Sequence, residues 1–509
     1  MPQADRLVLA IDCSTTAAKA VVFDAAGHAV AVGRRPLTMD QPQPGWHEQD
    51  ATTWWEATTA AIADALADLG SFRRVAAVCI TNQRQSFVCL DELGNPIRPA
   101  ILWLDSRATE EIEEYGTERV QELSGQPPDV TPSIYKLAWL RRHEPTVLSR
   151  AARVGDVQAY LVERLTGHWA TSEGSADALG LFDMRTFSWS ADLLACAGVR
   201  REQLPELVPV GSVIAALRTD VAQALGLPAG IPVIAGIGDG QAAGVGADAL
   251  HAGTAYLNLG SAMVMGVQSD TYVRDPAFRT LAGASPDTYT LETVLNSATY
   301  LATWCREQFG DRSLGGAPDP RLEAAAALLP PGAEGLLTLP YWNCAQTPYW
   351  DPHARGAMVG WHGRHGPEHM YRSILEGVAY ELRLHLQAME TATSMPITSL
   401  RAMGGGLRST LWAQILADVS QRPLLICAED EISALGAAAL AHASQPGAAG
   451  SARSVAETAQ AMASYERTVD PDPERADDYD RFYAVHRQLY PQLRKIFPVL
   501  ASAARTTRK

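Results

Sequence analysis

The feature that most constrains this chain is a pattern that occurs twice: an apolar strand, a turn of small polar residues, and a second apolar strand. Residues 7–11 (Leu-Val-Leu-Ala-Ile) are apolar without alternation, residues 12–18 are small and polar, and residues 19–23 are apolar again. The same order returns at residues 255–266, with Gly260-Ser261-Ala262 at the turn. A strand apolar at consecutive positions is buried on both faces, which is the habit of sheets covered by helices. The repetition reads as a duplication: two related α/β domains, each opening with a tight hairpin. A chain of 509 residues exceeds what one hydrophobic core serves, so two domains are expected on size as well. We place them at 1–245 and 246–509.

Other segments alternate helix and strand, as an α/β architecture requires. Residues 51–69 read as a helix between Asp50 as N-cap and Gly70 as C′ residue, with Trp55, Ile62, Leu66 and Leu69 on one face. Residues 75–80 read as a buried strand ending in the polar loop 81–86. A short strand at 232–236 runs into Gly238-Asp239-Gly240. Residues 410–420 read as a helix following three glycines, Gly404 to Gly406. A last helix over 474–496 carries Phe482, Val485, Leu489 and Leu493 as its apolar stripe, and Pro491 should kink or split it. The Gly/Ala-rich stretch 445–451 reads as a surface loop.

Composition excludes several functions. The net charge of -15 gives no electrostatic reason to hold nucleic acid or an anionic membrane. No apolar run reaches the ~20 residues of a membrane span, and Met1 to Arg6 is short and polar, which predicts no signal peptide. Seven cysteines without a C-x-x-C pair predict reduced thiols and a cytoplasmic protein.

Several short runs carry chemistry. In residues 12–19 (Asp-Cys-Ser-Thr-Thr-Ala-Ala-Lys) a hairpin of small residues can bring N–H groups and hydroxyls to phosphate oxygens; alone it could equally be a polar turn. Glycines before a helix, at 404–406, let a nucleotide lie against the backbone. Asp239 is either a catalytic carboxylate or a helix cap. His362, His365 and His369 lie close in sequence; with no carboxylate cluster evident, they read as a partly exposed loop rather than a metal site.

Taken in order, these runs resemble the FGGY family of carbohydrate kinases over nearly the whole chain. The resemblance rests on residues 12–19, on 131–143 with Lys136 and Trp139, on 236–243 around Asp239, on 260–262, on 356–376 and on 404–409. It implies two ribonuclease H-like domains of the actin-like ATPase and sugar kinase arrangement, with an interdomain cleft. It implies ATP and Mg²⁺, with Asp12 and Asp239 at the metal. Thr15, Thr16, Lys19, Gly260 and Ser261 would lie at the phosphates, and Gly404, Gly405 and Ser409 at the nucleotide. Asp239 would be the base that takes the proton of the phosphorylated hydroxyl, and the sugar would bind mainly to the N-terminal domain.

Substrate contacts implied by the resemblance are Arg84, Gln85, Trp103, Asp105 and Asp239. Arg84-Gln85 is similar to family members that phosphorylate glycerol, without their carboxylate. Residues 44–55 and 100–107 are similar to members that phosphorylate D-xylulose; there Asp105 would accept sugar hydroxyls, unless it pairs with Arg107. Gly240 stands where many relatives carry an amide. The expected reaction is conversion of D-xylulose to D-xylulose 5-phosphate, with glycerol, ribulose, gluconate and tetritols as alternatives. The expected partners are a small sugar and ATP, with a homodimer as the only protein partner considered. The rivals from other classes are an actin- or chaperone-like ATP-binding protein and a sugar sensor without turnover.

Overall fold

The computed structural model describes residues 6–69, 74–314, 317–445 and 453–506. Gly70 and most of the 445–451 loop lie outside these residues. The described N-terminal elements that position the site are β1 (Leu7–Cys13), β2 (Ala17–Phe23), β3 (Ala29–Pro36), α1 (Thr52–Leu69), β4 (Val75–Asn82), α2 (Ser133–His143), β5 (Val213–Ala216), β6 (Pro232–Ile234) and α3 (Asp239–Gly246). The C-terminal elements are β7 (Thr254–Leu259), β8 (Met263–Ser269), β9 (Arg279–Ala282), β10 (Tyr289–Leu295), α4 (Pro367–Thr393), β11 (Ser399–Met403), α5 (Thr410–Ser420), β12 (Leu424–Cys427), α6 (Ile432–Ala443), β13 (Tyr465–Val469), α7 (Ala476–Leu493) and α8 (Phe497–Thr506).

The duplication expected from the two hairpins is visible in strand order. One sheet runs β5-β6-β4-β1-β2-β3, the other β9-β10-β8-β7-β11-β12-β13. In each, three antiparallel strands meet two parallel ones at the first strand of the hairpin: β3-β2-β1 joins β4 and β6, and β10-β8-β7 joins β11 and β12. Each sheet also ends in an antiparallel strand beyond its parallel pair, β5 or β13, and the C-terminal sheet alone adds a further antiparallel strand, β9, at the other edge.

The unbroken apolar run of β1 has the expected cause. Leu7, Leu9 and Ile11 pack with α1, while Val8 and Ala10 face the opposite way. That opposite side is a layer between the two sheets, filled by α3 and α6. Seven of the twelve residues of α6 are alanine or glycine, because the helix must approach α3 closely. A Cβ on Gly436 would stand 1.9 Å from the Ala242 carbonyl oxygen, and one on Gly246 2.2 Å from that of Ile432.

The expected stripes of two helices reach the core, Trp55, Ile62, Leu66 and Leu69 from α1 and Phe482, Leu489 and Leu493 from α7, but the most buried rings lie beside them. In α1 the fully buried indole is Trp54 rather than Trp55; it donates from Nε1 to Gln49 Oε1 at 2.6 Å. In α7 the buried face is Tyr479, Tyr483, His486 and Tyr490, and Val485 is exposed. These rings are buried because their polar ends have partners: Tyr483 donates to Gln387, Tyr490 to Asp351, and His486 Nε2 meets the Thr338 carbonyl. Pro491 lies in the last turn of α7, and α8 begins separately beyond it, which is the expected split. All seven cysteines are unpaired. Among the described residues, no helix is long and apolar enough to cross a membrane.

Candidate active site

The turn between β1 and β2 closes with the Ser14 N–H on the Ala17 carbonyl at 3.0 Å. Next to it, the loop after β4 is held by the Gln83 N–H on the Cys13 carbonyl at 2.9 Å. The same β4 end reaches the approach to α3: Asn82 bridges Gly238, and Thr81 Oγ1 donates to the Ile237 carbonyl at 2.7 Å. Three segments far apart in sequence thus converge at the carboxyl ends of parallel strands, where α/β folds place their ligands.

Asp239 is the first residue of α3, with Gly238 as N-cap. Its Oδ1 accepts the Gly240 N–H at 2.8 Å and Arg84 Nε at 3.2 Å. Oδ2 accepts from no protein group among the described residues. Burial pushes this carboxyl up, while Arg84 and the Gly240 N–H pull it down. Gly238 and Gly240 are required by the Arg84 side chain: a Cβ at 238 would lie 2.4 Å from Arg84 Cδ, and one at 240 would lie 2.5 Å from Arg84 Nη2 and 2.8 Å from Glu292 Oε2.

Arg84 crosses the cleft. Its Nη1 donates to Glu292 Oε1 on β10 at 3.0 Å, and Arg279 on β9 donates to the same oxygen from Nε at 2.8 Å. Tyr256 donates to Glu292 Oε2 at 2.6 Å. Burial alone would raise the Glu292 carboxyl; the two guanidinium groups hold it at about 2 instead. Arg84 Nη2 donates to no protein group among the described residues.

Around these groups lies a cavity of about 370 Å³, lined by both domains. Thr15, Thr16, Arg84, Gln85, Trp103, Asp239, Gly260 and Ser261 line it, so most of the sequence-predicted residues come together. Trp103 is held by its Nε1 on Thr15 Oγ1 at 2.9 Å. Gln85 is buried in a left-handed conformation, φ 62°, a strained backbone for a residue with a Cβ. Lys136 fixes two walls from behind. Its fully buried Nζ donates to the carbonyls of Leu102, Trp103, Val130 and Thr131 at 2.7 to 3.2 Å, tying the Trp103 segment to the Thr131 segment.

Asp12 and Lys19 stand at the back of the hairpin. Lys19 pairs with Glu431, before α6, and lies 3.8 Å from Asp12 Oδ2. Asp12 Oδ1 is buried with no hydrogen-bond partner among the described residues. Burial pushes this carboxyl up to about 7, against the pull of Lys19. An orphaned buried carboxylate oxygen beside a phosphate-type hairpin fits a divalent cation.

Asp105 is not brought to the cavity. It is fully buried and accepts Arg107 Nε at 2.9 Å and Nη2 at 2.8 Å, and the His47 N–H at 2.6 Å. The Arg107 ion pair, the alternative left open by the sequence, occupies both its oxygens.

A second cavity of about 340 Å³ is lined by Thr299, Arg306, Glu323, Tyr371, Gly405, Gly406 and Ser409, among others. The glycine run divides its labour. Gly404 has φ 102°, and a Cβ there would stand 2.7 Å from the Leu259 backbone, whereas a Cβ on Gly405 would meet nothing within 4 Å. Gly404 therefore serves the packing of the loop on β7, and Gly405 leaves open backbone at the cavity. Ser409 caps α5 by accepting the Trp412 N–H at 2.9 Å. The Gly260–Ser261 turn sits between the two cavities, because the Thr299 N–H donates to the Gly260 carbonyl at 3.1 Å.

The histidine cluster does have a carboxylate, supplied by Glu334: its donor atoms and those of His362 and His365 lie within 4.8 Å of one another. Nδ1 of His362, His365 and His369 each accepts a backbone N–H, at 3.3, 3.3 and 3.1 Å. His369 Nδ1 also lies 3.1 Å from Glu368 Oε1, and His365 Nε2 is buried without a hydrogen-bond partner among the described residues.

Glu292, Arg279 and Gln346 also line or brace the site and were missed. Glu292 left a trace, being the one charged residue in the buried run Tyr289–Leu295. Gln346 lies in an irregular segment with no periodicity to mark it.

The chain belongs to the FGGY family of carbohydrate kinases: the family's N-terminal domain matches residues 7–246 and its C-terminal domain residues 255–444. It is similar to the xylulose kinase of Escherichia coli K12, 32% identical over 495 residues, which is 96% of this chain and 99% of the relative. It is also similar to the glycerol kinase of Thermococcus onnurineus, 31% identical over 449 residues, 86% of this chain and 89% of the relative. Among solved structures, xylulose kinase from Rhodospirillum rubrum is 30% identical and matches with a TM-score of 0.88, over 97% of this chain and 100% of that one.

Proposed function

We propose that this sugar kinase transfers the γ-phosphoryl group of ATP to a hydroxyl of a ketopentose, D-xylulose first, giving D-xylulose 5-phosphate, with Asp239 as base. The observation that carries this reading is the free Oδ2 of Asp239 on a cavity that both hairpin turns also line. The sugar would lie against Arg84, Gln85 and Trp103, and the ATP phosphates between Thr15–Thr16 and Gly260–Ser261. Lys19, one shell behind, would act on the phosphates through its field. The nucleoside would occupy the second cavity, against Gly405 and Ser409, with Gly404 holding the loop on β7 behind them.

In phosphoryl transfer the attacking hydroxyl becomes acidic late, so a carboxylate within hydrogen-bond reach suffices. Arg84 and the Gly240 N–H keep Oδ1 of Asp239 engaged and leave Oδ2 for the proton. Asp12 and Asp239 would hold Mg²⁺, which when bound supplies positive charge to the phosphate oxygens. The residues around the cavity then contribute positioning.

A glycerol or other polyol kinase is the second reading, favoured by the Arg84-Gln85 pair and by the likeness to a glycerol kinase. ADP release measured with ATP·Mg²⁺ against ketopentoses, polyols and sugar acids separates the two. Asp239→Asn should abolish sugar phosphorylation and leave ATP binding nearly intact. Turnover retained in that variant would remove Asp239 from the mechanism.

A further inference from the structure

Gln346, from the C-terminal domain, lines the larger cavity and is 3% exposed. Its Nε2 donates to Asp129 Oδ2 at 2.9 Å. That carboxylate oxygen also accepts from Thr131 Oγ1 at 3.0 Å, and Thr131 Oγ1 in turn accepts Gln85 Nε2 at 3.1 Å. Gln85 Oε1 accepts Arg279 Nη1 at 3.3 Å, which fixes the amide of Gln85 in the same sense. Every member of this relay has its orientation set. An ionised carboxylate only accepts, so Gln346 must turn its NH₂ toward Asp129 and its Oε1 away from it. Oε1 is then buried and receives no hydrogen bond among the described residues.

A buried acceptor without a donor is costly, and a native protein that keeps one in the wall of a cavity has a reason to do so. Resting on the kinase reading above, we propose that Gln346 Oε1 accepts a hydrogen bond from a hydroxyl of the sugar, so that the C-terminal domain takes part in sugar recognition. The chemical class follows. A neutral ketose or polyol brings the donor that Oε1 lacks. A sugar acid presenting its carboxylate there would set negative charge against an amide oxygen backed by Asp129. At this position the wall therefore favours a hydroxyl over a carboxylate.

The test uses the full chain with ATP·Mg²⁺, a ketopentose, its singly deoxygenated analogues and the matching aldonate. Gln346→Met keeps the length and removes the acceptor. It should raise KM for the sugar about tenfold or more, with KM for ATP within about twofold. One deoxy analogue that the wild type rejects should be discriminated against no further by the variant. An unchanged sugar KM, or an equal loss for every deoxy analogue, would overturn the inference while leaving the kinase activity standing. No turnover by the wild type on any sugar would sink the kinase reading and this inference together. If Gln346→Met does not fold, Asp129→Asn serves: it keeps the shape but lets the Gln346 amide turn, and the same KM should rise. An unchanged KM in that variant counts against the proposal.

Discussion

The guanidinium of Arg84, from the N-terminal domain, meets the carboxylate of Glu292, from the C-terminal domain, at 3.0 Å in the floor of the cleft. Glu292 is fully enclosed and also carries Arg279 at the same oxygen. One carboxylate thus sets the position of two arginines, and through Arg84 it bears on Asp239.

Glu292→Gln removes the charge, leaving Arg279 without its carboxylate and Arg84 with Asp239 as its remaining carboxylate partner among the described residues. Breaking a buried pair from one side costs about 3–5 kcal/mol. We expect a loss of that order in urea unfolding, together with a raised sugar KM, because Arg84 loses the carboxylate that sets its position. Affinity for ATP, measured by equilibrium binding, should change little. A variant with wild-type sugar KM would separate Arg84 from substrate binding.

Gly240→Ala tests the same pair sterically. The new methyl would fall 2.5 Å from Arg84 Nη2 and 2.8 Å from Glu292 Oε2, closer than side chains tolerate. The guanidinium must move, so sugar KM should rise. In Arg84→Ala the methyl has more room, and adding Gly240→Ala there should cost much less. Equal costs in the two backgrounds would refute the coupling.

The glycine run before α5 should split by position. Gly404→Ala meets both a left-handed backbone and the Leu259 carbonyl, and should destabilise the fold by about 1–3 kcal/mol. Gly405→Ala has room for its methyl and should leave the unfolding midpoint near that of the wild type. Its methyl faces open space at the second cavity, so KM for ATP should rise while sugar KM holds. Steady-state kinetics with each substrate varied in turn decides the matter.

Asp177 gives a pH dependence with a definite sign. Its Oδ2 accepts the Ala282 N–H at 2.7 Å and Gln241 Nε2 at 3.0 Å, and burial pushes the carboxyl from 3.8 up to about 7. Between those values the unfolded chain has lost the proton and the folded chain keeps it. The contribution is full below about pH 4, falls as pH rises, and is gone above about pH 7, at most about 1.4 kcal/mol per pH unit. The stability difference between wild type and Asp177→Asn should therefore shrink from pH 5 to pH 7 and stay level beyond. A difference independent of pH would show that Asp177 is ionised in the folded chain throughout.

What the sequence made legible follows its periodicities. Both hairpins, the strand at 75–82 and α5 could be read because apolar runs and glycine punctuation are local. The duplication could be read for the same reason, since residues 7–23 and 255–266 share a pattern even without shared identity. Asp239 and the two hairpin turns that share its cavity were legible as short runs in a fixed order. The braces of the site were not. Glu292, Arg279, Gln346 and Asp129 act through pairings that span 13 to 217 residues of chain, and no local periodicity encodes such a pairing. Asp105 shows the converse. Its segment resembles sugar-binding members of the family, yet Arg107, two residues on, claims both of its oxygens. In α1 and α7 the expected stripes, Val485 apart, do pack on the core, but the most buried rings, Trp54, Tyr479, Tyr483 and Tyr490, lie beside them, because their polar ends have buried partners that periodicity does not show.

The alanine- and glycine-lined crossing of α3 and α6 has a mechanical consequence. Where large side chains interlock, turning one helix over another means lifting them out of their sockets. Here backbone rests on backbone at Gly436 and Gly246, with few rotamers to rearrange. Such a crossing is a bearing rather than a lock: it holds the two sheets at fixed distance yet opposes rotation weakly. The first residue of α3 is Asp239, and Ser433 near the start of α6 donates to its carbonyl at 3.0 Å. A pivot so placed would let the walls of the cleft swing while Asp239 stays close to the axis, where displacement is least.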